Sequence, residues 1–253
     1  MANCFKIYNE NLVDQATIVA STNNALFPVS NLKDYRRSKV YRSTSNSDSI
    51  VLDFQETSLI DGIFIVPSKR DGFGVSTVTV QFNTVDSWGS PPYSVSVPFS
   101  TTLNLGHVTF TQVAYRFARI VMTSTLGYCE ISKMFIGAEI GMTASINFGW
   151  TIKDEELSLK SKNRYGQIFT DVIARQKAFG FAFKNIRKED LDLLNTMLDR
   201  VGETKPFYIA IGDNTMVADY RRFSGAVILE DIPTITNSHF NLYSLSMSVK
   251  ELM

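Results

Sequence analysis

Thr77-Val78-Thr79-Val80-Gln81-Phe82 decides the fold. Its apolar residues recur at every second position, so an extended backbone puts Val78, Val80 and Phe82 on one face and Thr77, Thr79 and Gln81 on the other. One side of this strand meets a core. Outward from it, from Phe5 to about Ala138, the chain is a succession of short alternating or β-branched runs broken by Asn, Ser, Gly and Pro. No helical period interrupts them. Strands are predicted over 16–21, 39–43, 49–54, 59–66, 76–83, 93–100, 107–111, 115–124 and 131–137. Ile60-Asp61-Gly62-Ile63-Phe64-Ile65-Val66 is almost continuously apolar, which predicts a central strand covered on both faces. Loops are marked at 68–74, 88–92 and 125–127.

The character changes after Gly141. Strands are predicted over 142–152, 155–161 and 176–184, with Lys162-Asn163-Arg164-Tyr165-Gly166 as a loop or long hairpin arm between them. Across 187–201, Leu191, Leu194, Met197, Leu198 and Val201 recur at three and four, the spacing of a helix stripe. Glu189, Asp190 and Asp192 suit its positive N-terminal end, Arg200 the other, and Gly202 is a stop. Further strands are predicted over 206–211, 216–218, 223–230 and 239–252. The expected fold class is therefore mainly β, with a sandwich over 1–139 and a β-rich domain with one flanking helix over 140–253. Gly137-Ala138-Glu139-Ile140-Gly141 is too short a junction for much relative freedom.

The chain has 253 residues, 44% of them hydrophobic, ample for buried cores. Lys+Arg and Asp+Glu balance at 25 each without a long run of either sign, which argues against nucleic acid or an anionic membrane as partner. The start, Met1-Ala2-Asn3-Cys4-Phe5-Lys6, lacks the pattern of a secretory signal, and no apolar stretch approaches the roughly 20 residues that span a bilayer. Cytosolic synthesis and no membrane insertion are expected. Cys4 and Cys129 are too few for a disulfide framework and read as buried thiols.

Five stretches carry a resemblance: Ala20-Ser21; Phe27-Pro28-Val29-Ser30-Asn31-Leu32-Lys33-Asp34; Lys39-Val40-Tyr41-Arg42-Ser43; Ser49-Ile50-Val51-Leu52-Asp53-Phe54; and Arg116-Phe117-Ala118-Arg119-Ile120. With Glu130-Ile131-Ser132-Lys133-Met134-Phe135-Ile136-Gly137 as closing strand, their order over about 12–138 resembles the discoidin, or coagulation-factor C-type, branch of the galactose-binding-like sandwiches. Tyr41 stands where that family usually has Trp, Asp34-Tyr35 where it has Asp-Gly, and its cysteine staple has no counterpart. The resemblance is thus to the unstapled sandwiches of bacteriophage tail proteins. Gly202-Glu203-Thr204-Lys205-Pro206-Phe207-Tyr208-Ile209 after a helix, and the ending Val249-Lys250-Glu251-Leu252, are similar to the C-terminal regions of phage tail and baseplate proteins.

The resemblance implies a non-enzymatic structural component of a tail tip, assembled in the host bacterial cytoplasm and carried in the virion. Other tail proteins are its expected partners, in a homo-oligomeric ring with six copies favoured over three. The alternative is an adhesin that binds host glycan. Binding loops implied by the family are Tyr35, Arg36 and Arg37; Lys69, Arg70 and Phe73; and Tyr128. In a tail subunit the same loops serve protein contacts. Asn163, Arg164 and Tyr165 are expected near a subunit boundary. No cofactor is expected, except that Asp34 and Glu130 match the carboxylates of the family's calcium-bearing branch. Against a calcium ion stands Asp34 capping its own loop by accepting backbone N–H bonds.

Chemistry is otherwise thin. His107 and His239 have no second ligand at metal spacing and read as structural or surface residues. Asp154-Glu155-Glu156 reads as a solvated turn rather than an acid pair, and Trp88 and Trp150 as core or interface anchors. No phosphate-binding Gly-rich loop occurs, and no catalytic residue is expected.

Overall fold

The computed structural model describes residues 5–36, 38–66, 74–100, 105–147, 149–211 and 224–252, with the backbone alone at residues 100, 160 and 170–175. Among them the protein is mainly β, with antiparallel sheets and one α-helix longer than four residues. The chain divides into two compact units. One comprises Lys6–Gly141 with Tyr208–Gly225, the other Met1–Phe5, Met142–Phe207 and Ala226–Met253.

The first unit carries β1 (Phe5–Tyr8) from Lys6 onward, β2 (Thr17–Ala20), β3 (Tyr41–Arg42), β4 (Ser47–Val66), β5 (Thr77–Asn83), β6 (Tyr93–Ser96), β7 (Phe99–Ser100), β8 (Leu105–Thr123), β9 (Glu130–Ile131) and β10 (Lys133–Gly137). A four-residue helix, α1 (Leu12–Gln15), follows the Asn11 cap, whose side chain accepts from Val13 N. The large sheet runs β10-β4-β8-β5-β6, with β2 added to β4 and β7 to β8, and β3 pairs separately with β9. Ile50, Leu52, Val80, Phe82 and Ile120 of the large sheet share one buried cluster with Tyr41 and Ile131 of the small one. The core therefore lies between two layers. Val78, Val80 and Phe82 point into it as their alternation requires.

Two predicted pairs of strands are each one long strand. In β4, alternating burial through Phe54 gives way to unbroken burial from Ile60 to Val66, and the register slips between Asp53 and Ser58. Gln55 takes a left-handed φ of 72° there. Asp53 holds the irregularity, accepting from Gln55 N at 2.8 Å and from Arg116 at 2.8 and 2.9 Å. The segments 107–111 and 115–124 are likewise joined in β8. Sequence gaps between runs marked bulges here, not turns.

The second unit carries β11 (Thr151–Lys162), β12 (Ile168–Ile186), α2 (Lys188–Val201), β14 (Gly225–Leu229) from Ala226 onward, β15 (Ile235–His239) and β16 (Leu242–Glu251); β13 (Phe207–Ile211) belongs to the first unit from Tyr208 onward. Its sheet runs β14-β16-β12-β11, with β15 also on β16. Leu191, Leu194, Met197 and Val201 form the buried stripe of α2, and Gly202 ends it at φ 55°. The strand predicted over 142–152 is absent before Thr151. Instead the buried carboxylate of Asp190 accepts from Thr143 N at 2.8 Å, Thr143 Oγ1 at 2.8 Å and Ala144 N at 3.1 Å. The start of that segment is thus held on a helix N-terminus, and Asn147 N reaches β12, donating to Ala182 O at 2.8 Å. The β15 strand was not foreseen, because Ile235-Thr236-Asn237-Ser238-His239 is exposed throughout and shows no apolar alternation. The strand predicted at 216–218 lies outside the described residues.

Candidate functional site

Register places Arg42 of β3 opposite Glu130 of β9. The Arg42 Nε donates to Glu130 Oε2 at 2.6 Å, and its NH2 nitrogen lies 2.5 Å from the same oxygen. Its guanidinium carbon sits 4.4 Å from the Phe27 ring centre and 4.5 Å from that of Tyr128, so two rings bracket one cation. The carboxylate is buried and the guanidinium half-buried. Gly74 bridges to Glu130, and a Cβ there would stand 2.5 Å from the Glu130 Cβ, so this approach needs glycine. Leu26 and Leu126, beside the two rings in sequence, are exposed.

Tyr41, the neighbour of Arg42, enters a polar knot. The buried carboxylate of Asp48 accepts from Ser21 Oγ at 2.5 Å, from Thr22 N and Oγ1 at 3.1 Å, and from the Tyr41 hydroxyl. Burial and Asp48 together push the Tyr41 phenol upward. The Cys129 backbone N–H donates to Ser43 Oγ at 2.7 Å, and burial raises its thiol. The thiol is free and inert by position.

A second group forms around the loop of Asp34. That carboxylate accepts from Arg36 N at 2.9 Å and from its Nε at 3.0 Å, and the guanidinium holds it well below the usual carboxylate range. The Tyr35 hydroxyl donates to Asp14 at 3.1 Å, and the buried Lys133 ammonium donates to the Asn31 carbonyl at 2.8 Å. Burial pushes Lys133 down to about 8, against the pull of Asp34 and Asp14. Asp34 and Glu130 are therefore each engaged by a different arginine, and a lysine ammonium already sits on the loop carbonyl. Among the described residues no group of three His, Cys, Asp or Glu is placed to hold a metal ion.

The hairpin turn is built on Asn163. Its Oδ1 accepts from Tyr165 N at 2.9 Å and Gln167 N at 3.0 Å, and Gly166 supplies the φ of 84°. Arg164 stacks on Tyr165 at 4.7 Å. Around the turn Leu159, Tyr165, Ile168 and Phe169 are each more than half exposed.

Of the residues singled out in the sequence, Tyr128 and Glu130 come together through Arg42, while Tyr35, Arg36 and Asp34 form the separate loop group. Arg37, Lys69, Arg70 and Phe73 lie outside the described residues. Phe27 and Arg42 were legible only as parts of motifs, because stacking on a cation has no sequence spacing. His107 is buried against Phe64, with ring centres 5.5 Å apart, and His239 is exposed on β15. Asp154-Glu155-Glu156 is not a turn but part of β11, where Glu155 meets Lys153 at 3.2 Å and Lys250 at 3.6 Å. Trp88 stacks on Arg119 at 5.1 Å. No helix among the described residues is long and apolar enough to cross a membrane.

What fold and geometry define is a two-unit, mainly β protein with a sandwich, a ring-bracketed Arg–Glu pair and a hairpin that exposes apolar residues beside its turn. No family model matches the chain, and no curated protein does. Among solved structures it is similar to the family 32 carbohydrate-binding module of Clostridium perfringens NanJ in complex with galactose. The identity is 12% over 52% of this chain and 98% of that one, with a TM-score of 0.42. It is also similar to the lectin domain of lectinolysin complexed with Lewis B antigen, at 11% identity, 51% and 96% coverage and a TM-score of 0.44. A third is chitosan-binding module 1 from a Paenibacillus sp. IK-5 chitosanase/glucanase, at 18%, 51% and 99%, and 0.40. Each likeness spans about half of this chain, and no ligand is transferred from it.

Proposed function

We propose that the chain is a non-enzymatic structural subunit of a multi-protein assembly, of the bacteriophage tail-tip kind its sequence resembles, with its first unit a discoidin-like sandwich. One observation carries the assembly role. β16 pairs with β12 only over Ala178–Ile186, whereas β11 pairs with it as far as Ile168. From Lys177 to the turn the hairpin is a two-stranded arm that leaves the sheet. Two strands alone are marginal in water, and this pair exposes Leu157, Leu159, Ile168 and Phe169. A protein partner that covers them resolves both deficits. The variant Ile168→Ser with Phe169→Ser should keep the wild-type circular dichroism and melting point but be missing from purified particles by mass spectrometry. Incorporation at the wild-type level would overturn the role.

The loop cluster favours a second function, glycan binding, because the partly exposed rings of Phe27 and Tyr128 are held on Arg42 of a charged Arg–Glu pair. A glycan array probed with the full chain tests it. Specific binding lost in Tyr128→Ala supports an adhesin, and an empty array dismisses it.

A further inference from the structure

The arm raises the question of what covers it. β11 ends the sheet, so the edge it turns away from β12 has no strand partner among the described residues. Across the arm its sequence is Asp154-Glu155-Glu156-Leu157-Ser158-Leu159-Lys160-Ser161-Lys162. Acid occupies one end, base the other, and two leucines flank the central serine. An antiparallel copy centred on Ser158 sets Asp154 against Lys162, Glu156 against Lys160 and Leu157 against Leu159, each twice. Every charged residue at an even position meets its opposite, and the exposed leucines meet each other. Opposite-charge and apolar cross-strand pairs are the contacts that stabilise antiparallel neighbours.

The other edge of the arm is blunted. Leu157 pairs with Ala174 and Ser158 with Val172, so Ile173 is an extra residue bulged out of β12. A bulge interrupts the regular spacing that an incoming strand needs. β11 has no extra residue in this stretch.

We propose that β11 pairs with β11 of a second copy of this chain, antiparallel and about a two-fold axis at Ser158, giving the arms a shared sheet in the order β12-β11-β11-β12. This rests on the assembly role above and names its first partner. The contact is isologous, since each copy offers the same surface. It differs from the head-to-tail ring that the sequence resemblance implies, and makes pairs of copies the building unit.

Full-length protein tests this directly. In a Cys4→Ser background, Ser158→Cys should form a disulfide-linked dimer under mild oxidation, because residues facing each other across an antiparallel pair lie within disulfide reach. Ser161→Cys, which faces residue 155, should not. By sedimentation, Asp154→Lys with Glu156→Lys, and separately Lys160→Glu with Lys162→Glu, should each weaken self-association about tenfold or more. An equimolar mixture of the two should associate as wild type does, which excludes misfolding as the cause. Wild-type protein that stays monomeric, reversed variants that self-associate normally, or a Ser161→Cys dimer as abundant as that of Ser158→Cys would each overturn the pairing. If that happens while Ile168→Ser with Phe169→Ser is still absent from particles, the assembly role stands and the arm serves a different protein.

Discussion

Lys133 shows how burial and nearby charge compete at one side chain. Its ammonium is buried on the closing strand, donates to Asn31 O and has Asp14 and Asp34 as its anionic neighbours. Burial dominates, so its pKa is pushed down to about 8 in the folded protein, below its unfolded value of about 10.4. Between those values the unfolded chain binds more protons, and stability must rise with pH. The gain across the full window is on the order of 3 kcal/mol. Tyr8, Tyr41 and Tyr208 have phenols raised by burial, and they reverse the trend above about pH 10, where the unfolded phenols ionise. Urea denaturation from about pH 7.5 to 9.5 should therefore show increasing stability in wild type and a flatter profile in Lys133→Met. Identical slopes would mean that the ammonium is better solvated than its burial indicates.

At the scale of elements, α2 separates packing from capping. Leu194 is fully buried on the helix stripe, so Leu194→Ala should cost about 2–5 kcal/mol in denaturant unfolding. Asp190 and Asp192 lie one turn-fraction apart but differ in kind. Asp190→Ala strips acceptors from Thr143 and Ala144 and should cost about 2–4 kcal/mol, whereas Asp192→Ala on the exposed side should cost under about 0.5 kcal/mol. Equal losses at both aspartates would show that the carboxylate bonds of Asp190 contribute nothing net. The same comparison explains what the sequence could reveal. Periodicity located α2 within a residue, the alternating face of β5 and the central β4, because burial of one face writes itself into residue order. Asp190 looked like a favourable charge near a helix end, but its role as the acceptor for 143–144 depends on a chain segment more than forty residues away, so that stretch was misread as strand. Arg42 was missed for the same reason. Phe27, Tyr128 and Glu130 converge on it only once β3 and β9 are paired.

Over the whole molecule the chain does not finish one unit before starting the other. It passes between them at residues 5/6, 141/142, 207/208 and 225/226. Local composition marks only the Gly137–Gly141 junction, since a late return to the first unit leaves no trace in it. The return matters energetically. Tyr208 belongs to the first unit and is buried there, its ring centre 4.5 Å from that of Phe135 and 5.2 Å from that of Phe64. Tyr8 packs edge-on against the same two rings at 5.1 and 5.6 Å, and Gly62 leaves the room its phenol ring occupies. A chain cut after Gly141 keeps Tyr8, Phe64 and Phe135 but loses Tyr208, which uncovers aromatic area that water penalises at roughly 25 cal/mol per Å². The fragment 1–141 should therefore melt well below the intact protein and bind a hydrophobic dye such as ANS. In the full chain Tyr208→Ala should cost about 3–5 kcal/mol, in line with removal of a buried aromatic ring. Tyr208→Phe, which keeps the ring and drops a buried hydroxyl, should cost far less. A fragment as stable as the whole, with no dye binding, would establish that the first unit needs nothing from the later chain.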